Sequence, residues 1–230
     1  MRYKTIGILG GMGPEATADL YLAVVRIFQQ ERGAKYDSDF PPFIICSLPL
    51  PDVVEGKGDE KAVVFMLKEG AKRLEAAGAD FIAIACNTVH AYLPMIRQAV
   101  RIPILSIMEE VACDAAEKGR KILGLLATET TIRWELFDSE CAKRGISLLK
   151  PDAWQQAILT ETIMRVLSGR KETEDSARLL AIAEVMHTQG AEAVILGCTE
   201  LPLLLKQVAS PLPLLDTTEI LARAIVRECR

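Results

Sequence analysis

Short runs of apolar, β-branched residues alternate along the chain with longer amphipathic stretches. The apolar runs predict strands that are covered on both faces, because nearly every position within them is hydrophobic. We place these strands at Thr5–Leu9, Phe43–Ser47, Phe81–Ala85, Ile104–Ile107, Ile122–Leu126, Ala193–Leu196 and Leu212–Leu215. The amphipathic stretches predict helices at Glu15–Glu31, Glu60–Ala77, Glu109–Lys118, Ile132–Lys143, Glu174–Gln189 and Thr218–Arg227. Strands that alternate with helices indicate βαβ units, so the predicted fold class is α/β with parallel sheets.

A repeat divides the chain into two similar halves. Gly78-Ala79-Asp80 precedes Cys86, and Gly190-Ala191-Glu192 precedes Cys198 at the same spacing, 112 residues further along. A helical stretch and then a strand led by proline follow each cysteine. Because such a repeat indicates a duplicated structural unit, we predict two similar Rossmann-like domains with parallel sheets, related by pseudo-two-fold symmetry.

The domain boundaries follow from where the two halves join. We place the N-terminal domain at residues 1–107 plus 212–230 and the C-terminal domain at 108–211, because we expect the last strand and helix to return to the first half. Ligands of parallel sheets bind beyond the carboxyl ends of the strands. The active site is therefore expected in the cleft between the two domains.

Composition narrows the classes of protein that the chain can belong to. Half of the residues are hydrophobic but only 5% are aromatic, which predicts an aliphatic core. The 27 basic and 31 acidic residues are interspersed, so nothing suggests a nucleic-acid partner. No apolar run approaches the roughly 20 residues of a membrane span, and the N-terminal run is too short for a signal peptide. We expect a cytoplasmic protein with reduced thiols and no membrane contact.

Six cysteines are the chemically distinctive residues. None forms a CxxC pair and the two histidines stand alone, so zinc ribbons and zinc fingers are excluded and no metal is expected. Cys86 and Cys198 directly follow strands at equivalent positions of the repeat, where the N-terminus of the next helix favours the thiolate. The remaining cysteines are expected to be small packing residues: Cys46, Cys113, Cys141 and Cys229.

Two thiols at equivalent strand ends predict an isomerisation that uses two acid–base groups. Under pseudo-two-fold symmetry, Cys86 and Cys198 would face each other across one cleft. A thiolate can remove a proton from one face of a carbon while a thiol returns a proton to the other face, and the roles exchange with the handedness of the substrate. A redox dithiol would instead have its cysteines close together in sequence.

Two further loops follow strands at the expected site. The glycine-rich Gly10–Ala16 suits a carboxylate-binding loop or a plain tight turn into a helix, with Pro14 at its start. It also fits a loose dinucleotide fingerprint, but no acidic residue ends the strand Phe43–Ser47 to bind a ribose, which disfavours NAD. The segment Thr128–Thr131 offers hydroxyls either to a carboxylate or as the N-cap of the helix expected from Ile132.

These residues resemble the aspartate racemase branch of the Asp/Glu racemase superfamily, whose members need no pyridoxal phosphate. The likeness spans essentially the whole chain and is most specific at Ile6–Pro14, Cys86–His90 and Gly197–Glu200. It implies two pseudo-symmetric α/β domains, usually in a homodimer, with the substrate between the domains and no cofactor. Glutamate racemases have histidine at the position of Glu200, which favours the aspartate branch.

The resemblance also implies roles for single residues. Cys86 and Cys198 would be the two acid–base thiols. Met12, in the glycine loop, would lie beside the substrate. Hydroxyl and amide side chains would bind the α-carboxylate and the ammonium group: Asn87, Thr88 and Thr199, assisted by Thr128 and Thr131.

Two positions depart from the pattern of aspartate racemases. Val53 follows Pro51-Asp52 where these enzymes carry arginine, and Leu167 replaces a helical lysine. Both changes remove positive charge where a side-chain carboxylate would dock, and a buried unpaired carboxylate costs several kcal/mol. Aspartate would then need another cation, such as Lys57 or Arg165. Otherwise the substrate is a less acidic amino acid.

Two other functions are compatible with the same fold. Hydantoin racemases, maleate isomerases and malonate decarboxylases carry out different reactions on it, although decarboxylases of this kind keep one cysteine and the chain has both. The other hypothesis is a non-catalytic relative that binds a small acid, and it is motivated by Val53 and Leu167.

Overall fold

The computed structural model describes residues 3–51, 59–205, 210 and 212–230. The strands are β1 (Ile6–Gly10), β2 (Phe43–Ser47), β3 (Phe81–Ile84), β4 (Ile122–Ala127), β5 (Ser147–Leu149), β6 (Ala193–Gly197) and β7 (Leu214–Asp216). The α-helices are α1 (Pro14–Arg32), α2 (Glu60–Ala76), α3 (Leu93–Arg97), α4 (Ile107–Glu117), α5 (Glu129–Arg133), α6 (Asp138–Ala142), α7 (Ala153–Leu167), α8 (Thr173–Thr188) and α9 (Thr217–Glu228). Short 3-10 helices occupy Asp37–Asp39, Thr88–Tyr92 and Leu201–Leu203.

The chain divides into two compact units, residues 1–107 with 218–230 and residues 108–217. The first unit contains a parallel sheet in the order β2-β1-β3. Every residue of β1 and β3 is buried, as their uniformly apolar sequences predict. Helix α2 approaches this sheet closely at Gly70, where a side chain would collide with Leu9 and Leu48.

The second unit contains a parallel sheet in the order β5-β4-β6-β7. The central strand β6 is buried throughout, and β4 is buried from Leu123 onward. Helix α8 packs against this sheet at Gly124, where a side chain would collide with Met186. Both sheets are therefore parallel and have buried central strands, and the α/β fold class is confirmed.

The same hydrogen bonds recur in both units and confirm the repeat. In the first unit, the Ala79 amide donates to the Leu74 carbonyl at 3.0 Å, and in the second the Ala191 amide donates to the Met186 carbonyl at 2.9 Å. The glycine before each of these alanines has a left-handed φ, 94° and 99°. The two helix-to-strand turns thus have the same backbone conformation. Both sequences place glycine at the position whose left-handed φ would strain a residue with a side chain.

Of the two predicted proline-led strands, the one at Leu212–Leu215 is observed as β7, whereas the one at Ile104–Ile107 is reduced to a single bridge. The amides of Ile82 and Val194 donate to the carbonyls of Pro103 and Pro213, at 2.8 and 3.0 Å. In the first unit this pairing amounts to one parallel bridge between Ile82 and Ile104 instead of a full strand. In the second unit it develops into β7.

The position of β7 also corrects the boundary that was placed at residue 212. Because β7 pairs with β6, residues 212–217 belong to the second unit, and the chain returns to the first unit only at Thr218. The other boundary, between residues 107 and 108, coincides with the predicted one.

Most predicted elements lie within two residues of the observed ones, and the strand expected at Ile104–Ile107 is not the only difference. The short edge strand β5 and the 15-residue helix α7 were not predicted. The helix expected at Ile132–Lys143 is instead two short helices, α5 and α6. Glu135, between them, has a positive φ of 52°, which no helix accommodates.

Within the described part of the chain, no helix is both long and apolar enough to cross a membrane.

Candidate active site

The carboxyl edge of the first sheet gathers the glycine loop and the first cysteine. Strands β1 and β3 are parallel neighbours, so the loops that follow them emerge at the same edge. The Ala85 amide donates to the Leu9 carbonyl at 2.9 Å and extends the pairing to the residue before Cys86. Cys86 is 5% exposed and belongs to an apolar cluster against which Met12 packs. The two predicted site segments are therefore brought together in this unit.

Asn87 and Thr88 follow Cys86 and are as deeply buried as the thiol. Asn87 is 1% exposed and Thr88 4%. Thr88 begins the 3-10 helix that ends at Tyr92, so the chain turns tightly just after the cysteine. Polar side chains are buried here among apolar neighbours, which is typical of a site that binds a small polar ligand.

The glycine loop is held by a threonine that the sequence analysis did not single out. The Thr17 hydroxyl accepts a hydrogen bond from the Gly11 amide at 2.8 Å and donates to the Gly13 carbonyl at 3.0 Å. Gly11 has a φ of 94°, and a side chain there would lie 2.4 Å from the Leu48 amide nitrogen. The Gly11 amide is thus engaged within the loop, so it differs from the free amide that an anion cradle would offer.

His90, one turn beyond Cys86, contacts the cysteine directly. Its Nδ1 lies 2.7 Å from the Cys86 carbonyl oxygen, and its Nε2 lies 3.2 Å from the Ile107 amide nitrogen. Burial lowers the pKa of His90 to about 4, an effect that outweighs the neighbouring carbonyls and is reinforced by the positive charge of Arg97. The imidazole is therefore neutral at pH 7.

The carboxyl edge of the second sheet gathers the second cysteine and a buried carboxylate. Cys198 directly follows β6 and is 5% exposed, while Thr199 and Glu200 are 3% and 4% exposed. The Cys198 thiol donates to Glu200 Oε2 at 3.0 Å, and the Thr199 hydroxyl donates to the same oxygen at 3.1 Å. Glu200 is thus part of the candidate site, although the sequence analysis gave it no role. The sequence feature that could have pointed to Glu200 is its position two residues after Cys198, a cysteine of the repeat.

Thr128 and Thr131 follow β4, the neighbour of β6, and so lie at the same edge. The Thr128 hydroxyl accepts the Thr131 amide at 3.1 Å and donates to the Thr131 hydroxyl at 2.9 Å. Both residues are buried, at 1% and 0% exposure. The helix-capping alternative is therefore realised, and the capped helix begins at Glu129, three residues before the predicted start.

The other four cysteines occupy two kinds of surroundings. Cys141 and Cys229 are fully buried, and burial raises the pKa of Cys229 and raises that of Cys141 to about 11. These two act as the expected packing residues. Cys46 and Cys113 are only half-buried, and the Cys113 sulfur accepts a hydrogen bond from Arg144 at 3.0 Å.

The positive charge that a second substrate carboxylate needs is not supplied by Arg165. Its guanidinium lies 3.4 Å from the buried Asp175 carboxylate and 3.0 Å from Glu161. Arg165 is thus already committed to carboxylates of this chain. Leu167 is 39% exposed at the end of α7. Val53 and Lys57 lie outside the described residues.

Comparison with known proteins identifies the family. The sequence profile of the family described as Asp/Glu/Hydantoin racemase matches residues 9–225. The chain belongs to this family. The broad specificity amino-acid racemase RacX of Bacillus subtilis is 31% identical over 224 residues, which cover 96% of each chain. The predicted racemase resemblance is confirmed, and with it the assignment as an isomerase.

Solved structures of the family share the fold over nearly their whole length. Aspartate racemase from Picrophilus torridus superimposes with a TM-score of 0.85 at 25% identity, over 98% of this chain and 94% of that one. An aspartate racemase homologue from Pyrococcus horikoshii gives a TM-score of 0.81 at 29% identity, over 97% of this chain and 98% of that one. The chain therefore shares the fold of these structures.

Proposed function

We propose that the protein is a cofactor-independent amino-acid racemase whose acid–base groups are the thiols of Cys86 and Cys198. The observation that carries this proposal is their equivalence: each lies beyond the carboxyl end of a buried strand of its own parallel sheet, Cys86 after β3 and Cys198 after β6, 112 residues apart in a repeat. Both are cysteines outside disulfide bonds, both are 5% exposed, and both are followed by buried hydroxyl or amide side chains. Equivalent groups suit a substrate whose two enantiomers must be treated alike.

The proposed reaction moves one proton out and another in at Cα. The thiolate of one cysteine takes the Cα proton, so that a C–H bond breaks, an S–H bond forms and the electron pair stays on the substrate. The thiol of the other cysteine then protonates the opposite face and becomes the thiolate. Charge on the pair is conserved, and the reverse turnover restores the first state. The mechanism requires the two sulfurs to lie on opposite sides of Cα.

The substrate's common groups would be bound by the buried polar residues that follow the strands. The proposed contacts of the α-carboxylate and ammonium are Asn87, Thr88 and Thr199, assisted by Thr128 and Thr131, with Met12 beside the substrate. Support comes from their burial and from their place beyond the carboxyl ends of β1, β3, β4 and β6. Glu200 would orient the Cys198 thiol through the hydrogen bond that it accepts.

The substrate is proposed to be aspartate or a related amino acid, with a broader set as the second candidate. The similarity to aspartate racemase structures supports the first. The second is favoured by Leu167, which stands where the family's lysine is expected, and by the engagement of Arg165 with Asp175. The name of the Bacillus relative points the same way.

Deuterium exchange at Cα tests the mechanism. Each enantiomer of a panel of acidic, neutral and basic amino acids is incubated in D2O, and racemisation with Cα deuteration is followed by chiral chromatography and mass spectrometry. Cys86→Ala and Cys198→Ala should each lower racemisation about 10²- to 10⁴-fold, while the remaining thiol still exchanges the Cα proton of one enantiomer. The half-buried Cys46→Ala is the matched control and should leave turnover unchanged.

Two outcomes of this experiment would refute the proposal. If both alanine variants racemise like the unmodified enzyme, the two-thiol mechanism is wrong. If calorimetry shows tight binding of an amino acid that is neither racemised nor exchanged, the non-catalytic hypothesis holds instead. The range of amino acids that turn over separates an aspartate enzyme from one of broad specificity.

We also propose a homodimer, in a cytoplasmic setting where thiols stay reduced. In the described part of the first sheet, β2 is an edge strand, and its apolar residues are only partly covered, with Ile45 45% exposed. Leu22 on α1 is likewise 49% exposed. Light scattering of Ile45→Lys against the unmodified chain tests the dimer: a monomer is expected for the variant, and an unmodified chain that is itself monomeric refutes the proposal.

A further inference from the structure

His90 belongs to the segment that identified the family but has no part in the proposed proton transfer. It is 6% exposed, although the chain's other histidine, His187, is exposed near the end of α8. Its ring spans two elements, because Nδ1 meets the Cys86 carbonyl and Nε2 meets the amide of Ile107, the first residue of α4. One side chain thus joins the backbone of a proposed catalytic residue to the point where the chain leaves the first unit.

The two contacts determine which nitrogen carries the proton. A carbonyl oxygen can only accept, so the short contact to Cys86 requires hydrogen on Nδ1. The Ile107 amide can only donate, so Nε2 must offer its lone pair. A neutral imidazole with hydrogen on Nδ1 satisfies both partners. A protonated ring would set two donors against each other at Nε2, so these two contacts favour the neutral form over the charged one.

The second unit has a different residue at the position equivalent to His90. There the Cys198 carbonyl accepts the Leu201 amide at 3.1 Å, and the position equivalent to His90 is Pro202. The start of α9 is attached separately, by the Thr217 hydroxyl that donates to the Leu196 carbonyl at 2.9 Å. The imidazole is therefore a feature of the Cys86 half alone, and it combines two attachments that the other half makes separately.

We propose that His90 is a positioning residue: its Nδ1–H fixes the Cys86 peptide so that the thiol is aimed at the substrate, and its Nε2 fixes the ring against α4. The inference rests on the proposed function, in which Cys86 is one of the acid–base groups. Displacement of a reacting group by about 1 Å can cost about 100-fold in rate. Because the ring acts through Cys86, its loss should lower kcat far more than it raises KM.

Two amide substitutions separate the hydrogen bonds. His90→Asn places an amide nitrogen at the position of Nδ1 and keeps the donor to Cys86. His90→Gln reaches the position of Nε2, so it keeps an acceptor for Ile107 and loses the donor. We expect His90→Gln to lower kcat about 10- to 100-fold, the effect of one lost buried hydrogen bond, with KM nearly unchanged. His90→Asn should retain most of kcat, and His187→Asn should match the unmodified enzyme.

The opposite results would overturn the inference. If His90→Gln keeps the kcat of the unmodified enzyme, whether or not its KM rises, the ring does not position the thiol. Urea unfolding of both variants is measured alongside, and a kcat loss that only tracks the unfolded fraction also refutes it. Nitrogen NMR of the unmodified protein gives a readout that needs no variant to fold: the Nδ1–H tautomer is expected, and the Nε2–H tautomer contradicts the proposal.

Failure of the inference and failure of the proposed function are distinguishable. An unmodified enzyme that exchanges no Cα proton in any amino acid refutes the proposed function. An enzyme that racemises normally but is insensitive to His90→Gln refutes only the positioning role.

Discussion

Single residues decide what the two thiols can do, and Glu200 shows how. The two cysteines are equivalent in the repeat, yet their neighbours two positions on differ: Thr88 in the first unit and Glu200 in the second. The Cys198 thiol donates its proton to the buried Glu200 carboxylate, whereas the equivalent position after Cys86 carries a hydroxyl group. This difference makes one half of the site chemically distinct from the other.

Substitution of Glu200 should slow catalysis in both directions. A hydrogen bond to a charged group contributes about 1.5–3 kcal/mol, so Glu200→Gln is expected to lower kcat/KM about 10- to 100-fold. Because the equilibrium constant between enantiomers is one, kcat/KM must fall equally for L and D substrates. Steady-state kinetics with each enantiomer measures this. Glu184→Gln, an exposed carboxylate on α8, is the matched control, and an unchanged Glu200→Gln would remove Glu200 from the site.

The lowered pKa of His90 also makes the free energy of unfolding depend on pH. Its pKa is about 4 in the folded protein and about 6.5 when unfolded. The unfolded chain therefore binds a proton that the folded protein excludes, so the free energy of unfolding falls as the pH drops from 6.5 towards 4. Over this whole pH interval the free energy of unfolding falls by about 3 kcal/mol, since each pKa unit corresponds to about 1.4 kcal/mol.

Urea unfolding between pH 7 and pH 5 tests this linkage. His90→Asn should flatten the dependence, whereas His187→Asn should keep it. Carboxylates with lowered pKa values, such as Glu140 and Glu192, lose their contribution only at lower pH and do not interfere in this interval. An equal slope in the unmodified protein and in His90→Asn would show that His90 titrates normally.

How much of the site the sequence could predict depends on the range of each interaction. Cys86 and Cys198 could be predicted because the repeat marks them and because ligands of parallel sheets bind at the strand ends. The role of Thr17 could not be predicted from the sequence, because it comes from the way the glycine loop folds back onto the first turn of α1. Its spacing from Gly11 carries no signal of that contact.

At the scale of elements, the glycine loop depends on Thr17 for its shape. Thr17→Val preserves the volume but removes both hydrogen bonds, leaving a backbone amide without its partner. We expect the free energy of unfolding to fall by about 1–3 kcal/mol and KM to rise several-fold, since Met12 sits in this loop. Chemical unfolding and kinetics measure the two effects.

The control for this substitution is Thr188→Val at the exposed end of α8, where the hydroxyl donates to the Val185 carbonyl. It should change neither KM nor stability appreciably. If Thr17→Val behaves in the same way as this control, the loop keeps its shape without the threonine.

The elements that were missed have physical explanations. Strand β5 has three residues and none of them is β-branched, so it gives little periodic signal. Helix α7 does begin with a recognisable capping box, because Asp152 accepts the Gln155 amide while Gln155 accepts the Asp152 amide. The predicted helix at Ile132–Lys143 is interrupted because the backbone at Glu135 is left-handed. Local pattern does not foresee that reversal.

At the scale of the whole molecule, the chain passes between its two units twice, after residues 107 and 217. The boundary predicted at residue 212 rests on the expectation that the last strand and the last helix belong to the same unit. They separate because β7 extends the pairing of β6, whereas α9 packs into the first unit. The first unit is thus completed by residues 218–230, which follow the whole of the second unit in the chain.

This arrangement predicts unequal effects of a C-terminal truncation. Removing residues 218–230 deletes the apolar face of α9, including Leu221 and Ile225, which are at most 1% exposed, and the hydrogen bond from the Lys4 amide to the Cys229 carbonyl. Each fully buried aliphatic side chain contributes about 1.5–3 kcal/mol. The total is comparable to the roughly 5–15 kcal/mol that stabilises a domain, so the first unit should unfold.

Hydrogen exchange with peptide resolution distinguishes the two units in the truncated protein. Amides of β1 and β3 should lose their protection, while those of β4 and β6 stay protected because the sheet β5-β4-β6-β7 lies entirely within residues 108–217. Deletion of Arg230 alone, an exposed residue, is the control and should leave both sheets protected. Protection that persists in β1 would mean that the first sheet is stable without α9, and that the late return of the chain is not needed to complete its core.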